Sequence, residues 1–480
     1  MGKKSIKRNY LYNVSYQVLT LITPMVTTPY ISRVLGANGI GMVSYAESIV
    51  SYFTLFAAMG VTIYGQREIS YVQNSVDNRS RVFWNTKFFT FCTVLVALVF
   101  YAMFIYSQEN IILYLILSLN LFSVLADVTW FFQGMEEFGK IVSRNIFFKC
   151  ISIIYFFLMV KSEEDTFKYA FGIAFFALIS NVSLWRYMPR YIEKIRFSEI
   201  HPFTNVKTIL SLFIPTIAIQ IYTVLDKTMI GIITNSSYEN GYYEQALKIS
   251  RMILTMVTAL GTVMIPRIGY YFEKKNIEEV KRLMYRGYRF VWFLGIPLCF
   301  GLICVSFNFV PWFFGKGYDK VIDLLKILSF LILAIGINNV TGMQYLIPTK
   351  RQNLFTLAVV IGACTNIILN AILIPLIQSV GAAIASVAAE TVIAVVQLIL
   401  VRKEISFWQV LKEGIHYYIA GILMAVGLLI LGKLLSPSII HTGIMILCGA
   451  TVYFLILLII RDEFLLSNIK ALIGRIHKGI

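Results

Sequence analysis

The chain has 480 residues, 58% of them hydrophobic and only 14% charged, with a formal net charge of +17. Soluble domains run about 45–50% apolar and about 25% charged, so this composition excludes a soluble enzyme, a disordered chain and a secreted disulfide scaffold. What remains is an all-α polytopic membrane protein.

Apolar windows of spanning length predict about 14 transmembrane helices. They fall near 11–32, 41–64, 87–106, 110–132, 145–160, 168–187, 208–233, 245–266, 290–310, 322–346, 354–375, 381–400, 416–433 and 441–460. The N-terminus, Met1-Gly-Lys-Lys before an apolar run with no small-residue cleavage site, is expected to be a retained first helix. Pro24, Pro29 and Pro215 lie inside spans and predict bent helices. The longest connectors, Arg186 to Lys207 and Arg267 to Arg289, are too short for a folded soluble domain of about fifty residues. The resulting division is an N-terminal lobe over 1–190, a connector over 191–207, a second lobe over 208–403, and two extra helices with a tail over 404–480.

Counting Lys and Arg on alternate sides gives about 32 on one side and about 7 on the other, the latter including Arg33, Lys161 and Lys316. Positive loops stay inside, so both termini are expected in the cytoplasm. The basic excess is then topogenic, with attraction to anionic headgroups, and no nucleic-acid partner is expected.

A shift of the sequence by 200 residues lays the second span on the eighth. Gly41, Ala46, Ile49, Thr62, Arg67 and Tyr71 coincide with Gly241, Ala246, Ile249, Thr262, Arg267 and Tyr271. Asp127-Val-Thr in the fourth span is echoed by Asn339-Val-Thr in the tenth. Six helices per repeat is an even number, which predicts two lobes of the same orientation related by an axis along the membrane normal, with the last two spans outside the repeat.

Ionisable groups within spans cost roughly 2.5–3.5 kcal/mol each at mid-depth on insertion scales, and few are present. Glu47 lies in the second span, Asp226 and Lys227 in the seventh, Lys248 and Arg251 on one face of the eighth, Glu390 in the twelfth and Asp127 near the inner end of the fourth. A water-filled cavity with a cationic patch for an anionic substrate would use them; structural ion pairs and snorkelling to the interface would equally account for them. Asn366 and Asn370, one turn apart, serve either as helix–helix glue or as cavity lining.

Catalysis has no signature here. There is no phosphate-binding lysine loop and no His-Glu-x-x-His, and the histidines His201, His416, His441 and His477 lie in loops or at helix ends. The six cysteines lack metal-ligand spacing and read as small hydrophobes. No enzyme activity, metal or cofactor is expected.

Several segments resemble one family. Asn13, Pro24, Pro29-Tyr30 and Ser32-Arg33-Val34-Leu35-Gly36 resemble the start of polysaccharide repeat-unit flippases of the Wzx type. So do Tyr64-Gly65-Gln66-Arg67-Glu68-Ile69, and Asp127-Val-Thr-Trp130-Phe-Phe-Gln133-Gly134-Met-Glu136 followed by Arg144-Asn145. Leu225-Asp226-Lys227-Thr-Met229-Ile230-Gly231 is similar to the family's seventh-helix motif. The likeness covers roughly the first 350 residues by motif and the rest by topology. It implies the multidrug/oligosaccharidyl-lipid/polysaccharide exporter superfamily: two six-helix lobes in a V around a central cavity lined by the first, second, seventh and eighth helices.

By that resemblance Arg33, Glu47, Asp226, Lys227, Lys248 and Arg251 would come from cavity-lining helices, with Arg33, Lys227, Lys248 and Arg251 meeting substrate and Glu47 and Asp226 as counter-ions or coupling groups; the residue reading adds Asn366 and Asn370 to the candidate lining and Glu390 and Asp127 to the candidate counter-ions. The implied cargo is an oligosaccharide on a polyprenyl diphosphate, moved to the outer leaflet of a bacterial cytoplasmic membrane for capsule or O-antigen-type assembly. Transport would run by alternating access, with possible coupling to a proton or sodium gradient. Membrane lipids and other polysaccharide-assembly proteins are the remaining partners. A drug or cation exporter of the same superfamily would favour an acidic cavity, and a membrane polymerase or ligase would need a large external loop.

Overall fold

In the computed structural model, residues 6–478 are described, with side chains from residue 22 to 470 apart from a few positions in the seventh and eighth spans. The side chains of Asn13, Pro215, Thr262 and His477 lie outside the described residues. Helices account for nearly all of the structure, and no strand occurs among the described residues. Ten stretches are long and apolar enough to cross a membrane. Two of them, Ile22–Tyr71 with 50 residues and Gln352–Leu400 with 49, would be about 75 Å long as straight helices, more than twice the roughly 30 Å hydrocarbon core. Each holds more than one of the spans read from the sequence. The chain is a multi-pass membrane protein.

The contacts divide it into two compact units, Met1–Gly241 and Tyr242–Ile480. The first contains α1 (Ile6–Ala58), α2 (Val61–Tyr71), α3 (Val76–Ile105), α4 (Ile111–Leu117), α5 (Leu119–Ala126) and α6 (Thr129–Gly134). It continues with α7 (Phe138–Met159), α8 (Thr166–Ser183) and α9 (Val206–Thr234), the last being the seventh span. α10 (Ser237–Thr258) straddles the boundary. The second unit carries α11 (Gly261–Glu273), α12 (Ile277–Phe313), α13 (Asp319–Leu328), α14 (Leu331–Asn338) and α15 (Gln352–Leu400). It ends with α16 (Phe407–Lys412), α17 (Ile415–Leu434), α18 (Ile439–Ile459) and α19 (Glu463–Lys478).

Several helices break within their spans, some at glycine and some not. α1 leaves helical geometry at Gly36, with φ 64°, a region where a Cβ is penalised. α15 does so at Ile377 and Gln378. The second span breaks at Met59–Gly60, so that α1 ends at Ala58 and α2 starts at Val61. The eighth breaks with the same 200-residue offset: α10 ends at Thr258 and α11 starts at Gly261. The Asp127/Asn339 echo behaves alike. The fourth span comes apart at Asp127 between α5 and α6, and the tenth passes from α14 into a π-helix at Asn339. Each half therefore departs from α-helical geometry at its copy of the motif, as insertions in membrane helices do when neighbours re-satisfy the backbone.

Packing explains the most specific family-like stretch. Trp130, Phe131 and Phe132 are at most 1% exposed and form a core with Tyr64, Ile69 and Phe83. A Cβ on Gly65 would lie 2.4 Å from the Trp130 ring, and one on Gly134 would lie 2.7 Å from the Gln66 carbonyl oxygen. The two motif segments thus interlock through missing side chains. In the second unit, the pair α17–α18 is fixed to α12 by polar bonds: Tyr453 donates to the Phe293 carbonyl at 2.9 Å, and Trp312 to Thr442 at 2.7 Å.

Gly41 and Gly241, partners in the sequence repeat, are also neighbours in space. A Cβ on Gly41 would fall 1.6 Å from the Ser237 carbonyl oxygen, and one on Gly241 would fall 1.9 Å from that of Ala37. Backbone cannot swing aside as a side chain can, so overpacking here should cost at least about 1–3 kcal/mol. Gly41→Ala is expected to lower the midpoint of thermal unfolding in detergent, whereas Gly427→Ala, with open space around its Cβ position, should leave it unchanged. Equal midpoints for the two variants would show that the crossing at Gly41 is not closed.

Candidate functional site

The first unit encloses polar hollows among helices whose other faces are apolar. Glu47, Ser51 and Thr54 recur at i, i+4 and i+7 on α1 and so share one face. With Asn120 of α5 and Lys227 of α9 they line a hollow of ≈ 400 Å³. Ser51, Thr54, Ser123 and Val124 also border a second hollow of ≈ 360 Å³, to which Thr90, Asp127, Trp130, Asn181 and Gln220 contribute. The two are adjoining parts of one polar space in the first unit. A third, of ≈ 400 Å³, is bounded by Tyr45, Gln108, Glu109, Asn235 and Asn240. α1 and α9 are tied beside the first hollow by Thr228, whose hydroxyl lies 3.0 Å from both Ser48 Oγ and Tyr52 Oη.

The inner hollow owes its shape to the break at Asp127. Interrupting a helix frees carbonyls that find no water in a hydrocarbon core. Here Lys87 Nζ, 6% exposed, donates to the carbonyls of Leu125 at 2.7 Å and Asp127 at 2.6 Å. Trp185 Nε1 donates to the intervening Ala126 carbonyl at 2.7 Å, and the ammonium sits 5.4 Å from the Trp185 ring. The Asp127 carboxylate accepts from the N–H of Thr129, the first residue of α6, through Oδ1 at 2.8 Å. Asn181 braces the wall, donating to Ser123 Oγ at 2.9 Å and accepting from Arg144 at 3.0 Å.

The residues singled out from the sequence fall in different places. Glu47 and Lys227 come together in one hollow and Asp127 lines the adjoining one. Asp226, 7% exposed, precedes Lys227 on α9. Arg33 is exposed on α1. Lys248 is half-buried and Arg251 exposed, both on α10 in the second unit. Glu390 accepts from Asn338 Nδ2 at 2.9 Å, and Asn338 in turn accepts from Gln397 at 2.7 Å, so this acid belongs to a bonded set beside the π-helix. Asn366 and Asn370 are both 0% exposed and bonded to each other at 3.0 Å along one face of α15, so this bond runs within one helix.

Sequence reading missed Lys87, Asn181, Gln220 and the hydroxyl face of α1. Lys87 has a signal that could have found it: a basic residue inside an apolar window opposite an acid in the next span. Asn181 and Gln220 have none, because isolated amides in membrane helices are unremarkable until their neighbours are known.

Comparison with known proteins agrees with this architecture. Residues 6–272 match the family model described as polysaccharide biosynthesis protein. A protein of Escherichia coli (strain K12) named as an O-antigen transporter is 21% identical over 408 residues, covering 84% of this chain and 98% of its own. A protein of Haloferax volcanii named as the flippase AglR is 27% identical over 247 residues, 51% of each chain. Among solved structures, the lipid II flippase MurJ in an inward closed conformation aligns over 95% of this chain and 99% of its own, with a TM-score of 0.73 at 17% identity. An inward-facing multidrug resistance transporter of the MATE family aligns over 85% and 98%, with a TM-score of 0.58 at 12% identity. The chain belongs to the polysaccharide biosynthesis protein family and has the fold shared by these transporters; the relatives are transporters and flippases, not enzymes.

The lysine that closes the broken helix gives a direct test. Lys87→Met keeps the length of the side chain but strands two buried carbonyls, at about 1–3 kcal/mol each. The variant is expected to be markedly less abundant and to melt several degrees lower, with Lys87→Arg intermediate. Wild-type melting of Lys87→Met in detergent would show that the break does not depend on this side chain.

Proposed function

We propose that the chain is a flippase that carries polyprenyl-diphosphate-linked oligosaccharide repeat units from the cytoplasmic to the outer leaflet of a bacterial cytoplasmic membrane, for capsule or O-antigen-type polysaccharide assembly. The observation that carries this reading is a polar space, with Glu47 and Lys227 on its lining, inside a bundle of membrane-spanning helices of this family. The names of the relatives, an O-antigen transporter and a glycan flippase, support it. A sugar diphosphate needs such a space, since each unsatisfied polar group costs kilocalories in hydrocarbon.

In this reading Lys227, with Arg33, Lys248 and Arg251, meets the diphosphate. Guanidinium groups suit a diphosphate because two parallel N–H bonds fit its oxygens. The prenyl tail stays in lipid while the polar head passes by alternating access between two lobes. Glu47, Asp226 and Glu390 balance the cations or couple transport to a proton or sodium gradient. Both termini face the cytoplasm, following the excess of Lys and Arg in one set of loops.

Deletion of the gene is expected to leave complete lipid-linked repeat units on the cytoplasmic leaflet, with glycosyltransferase activity in extracts unchanged. Repeat units that reached the outer leaflet and remained unpolymerised would overturn the transport reading in favour of a polymerase. Orientation is tested separately. Single cysteines at Glu109 and Tyr238, both exposed, should react with a membrane-impermeant thiol reagent added outside, and those at Asn78 and Asn276, also exposed, should not. Outside labelling at Asn276 would reverse the topology.

A further inference from the structure

The inner hollow has a chemistry different from that of its neighbour. No Lys or Arg lines it, and its single ionised group is Asp127. A diphosphate is therefore not its occupant. Lys87 offsets the charge of Asp127, but its ammonium is spent on the Leu125 and Asp127 carbonyls.

The hydroxyls around it are also committed in one direction. A Ser or Thr hydroxyl has one hydrogen to donate and two lone pairs to accept with. Ser51 donates its hydrogen to the Glu47 carbonyl at 2.7 Å, Thr54 to that of Ser51 at 3.0 Å, and Thr90 to that of Thr86 at 2.9 Å. Bonds back to the preceding turn satisfy a hydroxyl in an apolar bundle, and they leave only its lone pairs for a ligand. Asp127 adds a second carboxylate oxygen beyond the one that accepts from Thr129. The wall is thus rich in acceptors around the buried Trp130 ring, with the amide of the exposed Gln220 as a donor among them.

We infer that this hollow, bounded by Thr54, Thr90, Asp127 and Gln220, seats a sugar residue of the cargo, recognised through its hydroxyl hydrogens. The inference rests on the transport reading above and divides the cargo head between two places. The diphosphate stays with Lys227, and the sugar reaches inward to the break in the fourth span. Sugar hydroxyls both donate and accept, so they give hydrogens to these acceptors and take one from the Gln220 amide, and the bond to the carboxylate is the strongest of the set because its acceptor is charged. A phosphate brings only acceptors and is repelled. Asp127 is a specificity-determining contact for the glycan.

The experiment uses the full chain in lipid nanodiscs and two probes, a synthetic polyprenyl diphosphate and the same lipid bearing one hexose. Asp127→Asn retains the acceptor for the Thr129 N–H and converts the other acceptor position into a donor. Gln220→Leu removes an exposed polar group at the same hollow without touching the helix break. Wild type is expected to bind the hexose lipid more tightly than the bare diphosphate. Each variant should lose about tenfold for the hexose lipid, the value of one hydrogen bond to a charged or well-placed partner, and nothing for the bare lipid. Lys227→Gln should weaken both probes alike.

If Asp127→Asn melts early, Gln220→Leu decides alone. Unchanged hexose-lipid binding in Gln220→Leu and in a folded Asp127→Asn overturns the inference, as does an equal loss for both probes. A hydrophobic cation such as tetraphenylphosphonium that competes with the hexose lipid and loses its binding in Asp127→Asn also overturns it, marking a cation site. Failure of the wild type to bind either lipid removes the transport reading itself, and this inference with it.

Discussion

A break in a membrane helix must be paid for where it occurs, because no water is present to bond the freed carbonyls. In this protein the constraint is met by Lys87 and Trp185, which together engage the three consecutive carbonyls of Leu125, Ala126 and Asp127. Without that closure these buried carbonyls would be left unsatisfied beside the break between α5 and α6. The break places Asp127 at the hollow and starts α6, whose Trp130–Phe132 pack into the core with α2.

The same economy recurs in the second half with different residues. Asn339 stands where Asp127 does in the repeat, and the chain answers with a π-helix instead of a gap. Around it, Gln344 bonds the Asn339 side chain at 3.0 Å and Thr341 shares a hydrogen with Tyr288 at 2.8 Å. One site has a cation on carbonyls and the other has neutral groups on one another. The repeat keeps the position of the irregularity and varies its chemistry.

Small residues set the distances that make these arrangements possible. Gly65 receives the Trp130 ring, Gly231 receives that of Tyr45, and Gly41 and Gly241 let helix backbones touch. In a bilayer apolar side chains gain little by leaving lipid, so close packing and interhelical bonds carry association. The Ser48–Thr228–Tyr52 contacts do this between α1 and α9 while leaving Glu47 and Ser51 to the hollow beside them.

Composition and hydropathy alone determined that this is a helical, multi-pass membrane protein, and an offset of 200 residues located the repeat, because spanning length and charge bias are local properties of the chain. The motifs around Gly65 and Trp130 were legible as a family resemblance, though not as two halves of one interlock. Asp127 and Lys227 were visible as rare charges in apolar windows, and Glu47 likewise. That Glu47 and Lys227 share a hollow, that Glu390 is bonded to Asn338, and that Asn366 and Asn370 face each other were decided only in three dimensions. Lys87 and the hydroxyls of Ser51, Thr54 and Thr90 depended on tertiary structure altogether: whether a polar group in a membrane helix faces lipid, a neighbour or a cavity is fixed by which helix lies beside it, and no local pattern records that.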